Sequence, residues 1–166
     1  MSIFICRLAG ARGRRIDVFD NKCIITTEVT FGSILSSNAM DGEKTLFYKD
    51  VVGIQFKPSK VAIGYMQLET PSMQMNNQSS NMFSENTFTF EENSAGTMNR
   101  MMRAVHSYIV SRVEGYKYGM DENMQKQSLY ALFGELVPFG VEVNPVLAEQ
   151  WRQHLQEAYR LQQAQQ

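Results

Sequence analysis

Cysteine is scarce here. Cys6 and Cys23 are too few for a disulfide scaffold, and both lie in apolar, strand-like surroundings where a free cysteine behaves as a small hydrophobe. Neither sign of charge dominates. Sixteen Lys and Arg against seventeen Asp and Glu leave a formal net charge of -1, which removes the field expected of a nucleic-acid binder. No apolar run approaches the roughly 18 residues of a membrane span. The opening MSIFICRLAG has no basic stretch followed by a long apolar core, so no secretory signal is expected. A cytoplasmic location is the default, with a peripheral place at the membrane as the alternative.

The usual signatures of catalysis are also missing. Gly10-x-x-Gly13 is too short for a phosphate-cradling loop and precedes a strand. Ser36-Ser37 and Ser79-Ser80 lack the G-x-S-x-G elbow of an activated serine. His106 and His154 have no Cys, His or carboxylate at metal-ligand spacing, so structural or solvated roles are expected. The sequence predicts no catalytic residue, no metal and no cofactor, and the default is a protein that is not an enzyme.

Period-two patterning organises the first two-thirds of the 166 residues. Ile3–Leu8, Arg14–Phe19 and Lys22–Glu28 read as strands, and Asp20-Asn21 as a two-residue hairpin turn. Glu43–Glu69 reads as strand, tight corner at Phe47–Asp50, strand, Pro/Ser turn and strand. Val52, Ile54 and Phe56 alternate there with Gly53, Gln55 and Lys57, as in a half-buried strand. Pro58 stops that strand, because proline has no N–H to give a ladder. Thr87–Glu91 alternates again, with Phe88 and Phe90 inward. Phe31–Leu35 reads either as a continuation of the third strand after a bulge or as a separate short strand, and Ser36–Gly42 as a polar loop ending in the turn signal Asp41-Gly42. The Ser/Asn/Gln-rich Pro71–Glu85, with Met73, Met75, Met82 and Phe83 embedded, lacks pattern and is expected to be a mobile loop.

Period 3.6 then takes over. Met98, Met101, Met102, Val105, Tyr108, Ile109 and Val113 recur at three- and four-residue steps. They predict an amphipathic helix with Asn93 or Ser94 as N-cap and Gly115 as its stop. The methionines suit it as adaptable core filler. Leu129, Leu132, Phe133 and Leu136 form a second helical stripe, broken by Pro138 and Gly140. Asn144-Pro145 reads as cap and first turn of a last helix, Val146–Gln163. The expected division is a domain of residues 1–114 and a helical extension of 115–166.

Together these motifs resemble a bacterial pleckstrin-homology-like (PH-like) family. The residues that carry the resemblance are Gly10 and Gly13 before an Ile-x-Val strand, Gly42-Glu43-Lys44-Thr45-Leu46, Val52-x-Ile-x-Phe-Lys57, Gly64-Tyr65-Met66-Gln67-Leu68 and Glu85-Asn86-Thr87-Phe88-Thr89-Phe90. They fall in order over residues 1–114. The resemblance implies a mainly β fold with C-terminal helix. That fold is a seven-stranded barrel, or two bent antiparallel sheets, capped by an amphipathic helix and here followed by two further helices. It implies a fold more than an activity, since most members have no known function.

Two surfaces carry functional expectations. Arg7, Arg12, Arg14 and Arg15 cluster at the first hairpin loop, where guanidinium forks suit phosphate or anionic lipid head groups, the other reading being a solvated basic loop balanced by Asp17 and Asp20. Leu147, Trp151, Leu155 and Tyr159, four apart, form an apolar stripe for contact with a protein partner or a second copy. Short helices cannot enclose such stripes alone, so the stripe packs on the barrel in cis or on another chain in trans. No nucleic-acid partner is expected, because no strand interleaves aromatic and basic residues.

Overall fold

The computed structural model describes residues 1–28, 42–71 and 85–166. The expectations for Phe31–Leu35 and for the loop residues Met73, Met75, Met82 and Phe83 lie outside the described residues. The elements are β1 (Phe4–Ala9), β2 (Arg14–Phe19), β3 (Lys22–Thr27), β4 (Gly42–Phe47), a 3-10 turn (Tyr48–Asp50), β5 (Gly53–Lys57), β6 (Gly64–Glu69), β7 (Thr87–Phe90), α1 (Met98–Tyr118), α2 (Glu122–Leu136), a 3-10 turn (Val137–Phe139), β8 (Glu142–Val143) and α3 (Pro145–Ala164).

The strands form two antiparallel sheets, in orders β4-β3-β2-β1-β8 and β5-β6-β7. The expected seven-stranded barrel does not appear, since among the described residues no ladder joins the sheets into a closed ring. Nor is the fold mainly β; the described residues are about 45% helical and 29% strand. The β4–β5 corner keeps the sheets apart: Tyr48–Asp50 takes a tight turn, and the Tyr48 side chain is buried beneath it. Its hydroxyl donates to the Phe19 carbonyl at 2.9 Å. Where β7 meets the β1–β2 loop, the Ala11 N–H donates to the Thr89 carbonyl at 2.9 Å. The loop passes so close that a Cβ on Gly10 would stand 2.2 Å from the Thr89 carbonyl oxygen. Close packing of backbone on backbone is what glycine allows there.

Helix α1 lays its apolar side on the sheets. All seven residues of its predicted stripe are buried, from Met98 to Val113. Its N-terminus is held by Glu92, whose carboxylate accepts from the Asn93 N–H at 3.0 Å and the Met98 N–H at 2.8 Å. Asn93 accepts from the Thr97 N–H at 2.9 Å, so it supports the turn before the helix rather than capping it, and Thr97 takes the cap position. The predicted stop at Gly115 is also corrected. The helix runs through Gly115 to Tyr118 and ends at Gly119, which takes φ +89 and donates back to the Gly115 carbonyl. Gly115 instead lets the α1–α2 turn close tightly, since a Cβ there would stand 3.2 Å from Met120 Cβ. The division expected between residues 114 and 115 therefore falls inside a helix.

Residues on both sides of that point share one core. Leu132, Phe133, Leu136 and Trp151 belong to the same buried cluster as Ile5, Val18, Phe88 and Val105. Such burial is worth about 1.5–3 kcal/mol for each large side chain.

Candidate functional site

The four arginines do not converge. In β2, Arg14 is buried on the side it shares with Ile16 and Val18, while Arg15 and Asp17 fall on the other. Arg14 is 3% exposed and donates through Nη1 to the Thr87 carbonyl, fastening β2 to β7. Desolvation by burial lowers its pKa from the ordinary value, with Glu85 opposing that shift. Arg7 lies directly across from Asp17 in the β1–β2 ladder. Its Nε donates to Asp17 Oδ1 at 2.6 Å, which favours its charged form. The Arg15 Nε stands 3.7 Å from the same oxygen, and Arg7 also reaches Glu142 on β8 at 3.5 Å. Asp17 thus occupies the point between Arg7 and Arg15 where an anion would sit. Arg12 stands apart in the loop at φ +59, followed by Gly13 at +74. The sequence cluster is dispersed by strand alternation and by this left-handed turn.

The histidines pack against aromatic rings. His106 lies 5.0 Å from the Phe56 ring, and its pKa is lowered by burial and by Arg103. His154 lies 4.9 Å from Tyr130, tying α3 to α2. Among the described residues no three or more of His, Cys, Asp and Glu group as metal ligands. No helix is long and apolar enough to cross a membrane, among the same residues. A cleft of about 270 Å³ runs between the β5 edge and the end of α1, lined by Val52, Ile54, Val110, Val113, Glu114 and Lys117 among others.

The α3 stripe divides in two. Asn144 seats the helix: its Oδ1 accepts from the N–H groups of Val146 and Leu147, and its Nδ2 donates to the Phe4 carbonyl at 2.9 Å. Its own N–H donates to the Ile5 carbonyl at 2.9 Å. One residue therefore caps the helix and hangs it on β1. Beside it β8 extends the sheet, pairing Val143 with Cys6 and Glu142 with Arg7. The first two turns then dock in cis. Leu147 is half-buried, Ala148 is buried and Trp151 is 9% exposed.

Past His154, whose ring still meets Tyr130, the helix leaves the body. Every residue from 152 to 166 is exposed, including Leu155 at 47%, Tyr159 at 64% and Leu161 at 50%. Of the four predicted contact residues, Leu147 and Trp151 serve the fold while Leu155 and Tyr159 remain on the surface. Spacing places all four on one side but does not tell where the supporting body ends. The seat at Asn144 and β8 also escaped the sequence reading, because a two-residue strand has no periodicity. Its only trace was the Asn-Pro cap signal.

No protein-family model, no curated protein and no solved structure matches this chain.

Proposed function

We propose that this protein is a non-enzymatic, PH-like interaction module that works through protein–protein contact or self-association, with the projecting half of α3 as its docking face. The observation that carries this reading is the end of the helix after His154, which presents Leu155, Tyr159 and Leu161 to solvent. A short helix is marginal in water unless an apolar face is covered. An amphipathic helix laid on an apolar surface is a common form of protein recognition. The PH-like assignment is supported by the order of seven strands before the helix and by the buried apolar side of α1 sharing one core with two antiparallel sheets. Binding of anionic lipid or another phospho-ligand at Arg7, Arg12, Arg14 and Arg15 is the alternative. It is the weaker reading, because Asp17 and Glu142 already neutralise Arg7.

A photo-crosslinking phenylalanine derivative in place of Tyr159 tests the proposal, with the same group at the fully exposed Val61 as control. Irradiation in an extract of the cells that make the protein is expected to give discrete protein adducts at 159 and not at 61. Equal labelling from both positions, or none from 159, would contradict it. Salt-sensitive flotation with vesicles rich in anionic lipid would favour the arginine loop instead.

A further inference from the structure

We infer that the free edge of β5, with the side of α1 that faces it, takes an extended peptide segment of another protein as an added strand. The segment carries an acidic residue two positions before an apolar one. This site is separate from the end of α3 and does not rest on that face.

The ladder shows which backbone groups are free. The Leu68 N–H donates to the Asn86 carbonyl at 3.1 Å, so the even-numbered residues of β6 turn their backbone groups towards β7. The odd-numbered ones face β5, where Glu69, Gln67 and Tyr65 lie opposite Gly53, Gln55 and Lys57. The Val52 N–H is also used, donating to the Glu69 carbonyl at 2.8 Å. Ile54 and Phe56 are left with N–H and C=O directed away from the sheet, and among the described residues nothing bonds to these groups. Two donor–acceptor pairs, two residues apart, are the template for another extended backbone. Neither a lipid head group nor a nucleic acid carries that repeat.

Side chains beside the edge select the sequence of the occupant. A residue paired with Phe56 or Ile54 points to the same face as they do, which is the face towards α1. At the Phe56 end, Arg103 lies over the ring at 5.4 Å and His106 at 5.0 Å. Arg103 is exposed, and among the described residues it forms no ion pair and donates no hydrogen bond. An acid opposite Phe56 gives that guanidinium its carboxylate. In an antiparallel segment the residue opposite Ile54 comes two positions later. There the cleft of about 270 Å³ is walled by Val110 and Val113, and an apolar side chain fills it. Glu114 and Lys117 stand together at the far end, so that end favours neither sign. The β5 edge of a second copy does not fit. Paired about a twofold axis through Gln55, it would set its own Ile54 opposite Phe56, and β5 holds no acid to put there.

The probe is the synthetic peptide acetyl-STDTITVTS-amide, whose aspartate, isoleucine and valine fall on one face of a strand. It is titrated into the isotope-labelled full chain and followed by NMR. Saturable shifts are expected over Gly53–Lys57 and along α1 from Arg103 to Lys117, with a Kd below about 1 mM. In the bound strand the aspartate and isoleucine N–H groups donate to the Phe56 and Ile54 carbonyls. N-methylation of either is expected to weaken binding about tenfold or more, while N-methylation of the threonine between them changes it by less than about twofold. Arg103→Glu, at an exposed position, is expected to keep the melting temperature near wild type. It should reverse the preference, so that the peptide with lysine in place of aspartate binds about tenfold more tightly than the original. The absence of saturable shifts at β5 up to about 1 mM peptide overturns the inference. So does binding that all three N-methyl peptides weaken equally or not at all, or an Arg103→Glu chain that still prefers the aspartate peptide.

Discussion

Single residues decide the core more than the surface. Val105 is fully buried under the sheets at the middle of α1. Val105→Asp puts an unpaired carboxylate there and is expected to cost about 3 kcal/mol or more, lowering the melting temperature by about 10 °C. Glu92→Ala removes the acceptor of the α1 N-terminus and is expected to cost about 1–2 kcal/mol by chemical denaturation, with the denaturant slope unchanged. A melting temperature near wild type for Val105→Asp would refute the packing of α1 described here.

Four buried groups set the response to alkali. Burial pushes the Cys23 thiol up to about 12. It also raises Cys6, Tyr48 and Tyr108, with smaller contributions from neighbouring groups. In each the folded protein holds its proton more tightly than the unfolded chain. The stability they contribute is full below the unfolded pKa and is lost as pH rises from there towards the folded value. Melting temperature is therefore expected to fall steadily above roughly pH 8.5, where an unfolded thiol begins to ionise. A thiol reagent at pH 8 is expected to label neither cysteine until the protein unfolds. Rapid labelling of the native chain would show that the β1–β3 face is open.

At the scale of elements, α3 behaves as two pieces. Its first two turns belong to the core through Leu147, Ala148 and Trp151. Beyond the His154 ring, which lies against Tyr130, the remainder is exposed. Deleting residues 156–166 is expected to leave the melting temperature within about 2 °C of wild type, since exposed residues contribute little. Trp151→Ala is expected to cost about 3 kcal/mol as a large-to-small change against the core. Trp151 is the only tryptophan in the sequence, so its emission should be blue-shifted at every concentration. A fully red emission would place α3 away from the body.

These elements also show what a sequence can and cannot carry. Both periodicities were legible, because alternation and the three-four step reflect which faces meet the core. The α1 stripe from Met98 to Val113 is the clearest case. Contacts between distant segments were not legible. Thr87 and Thr89 alternate with Phe88 and Phe90 and read as a solvated face, yet they are buried because the β1–β2 loop and Arg14 cover them. The dispersal of the arginine cluster was not legible for the same reason: adjacency in sequence becomes opposite sides of a strand. The helix stop was misplaced because two glycines, Gly115 and Gly119, compete, and the turn to α2 selects the later one.

For the whole molecule, one continuous core joins the sheets, α1, α2 and the root of α3, and leaves one helical arm outside it. The account stands or falls on that arm, beyond His154, being folded and exposed rather than packed on its own chain. Hydrogen exchange of the full chain, followed by mass spectrometry, measures this directly. The account predicts strong protection across α1. It predicts weak protection over residues 155–164 in dilute solution. Protection of 155–164 equal to that of α1 in dilute solution would contradict it, by showing the arm already packed within its own chain.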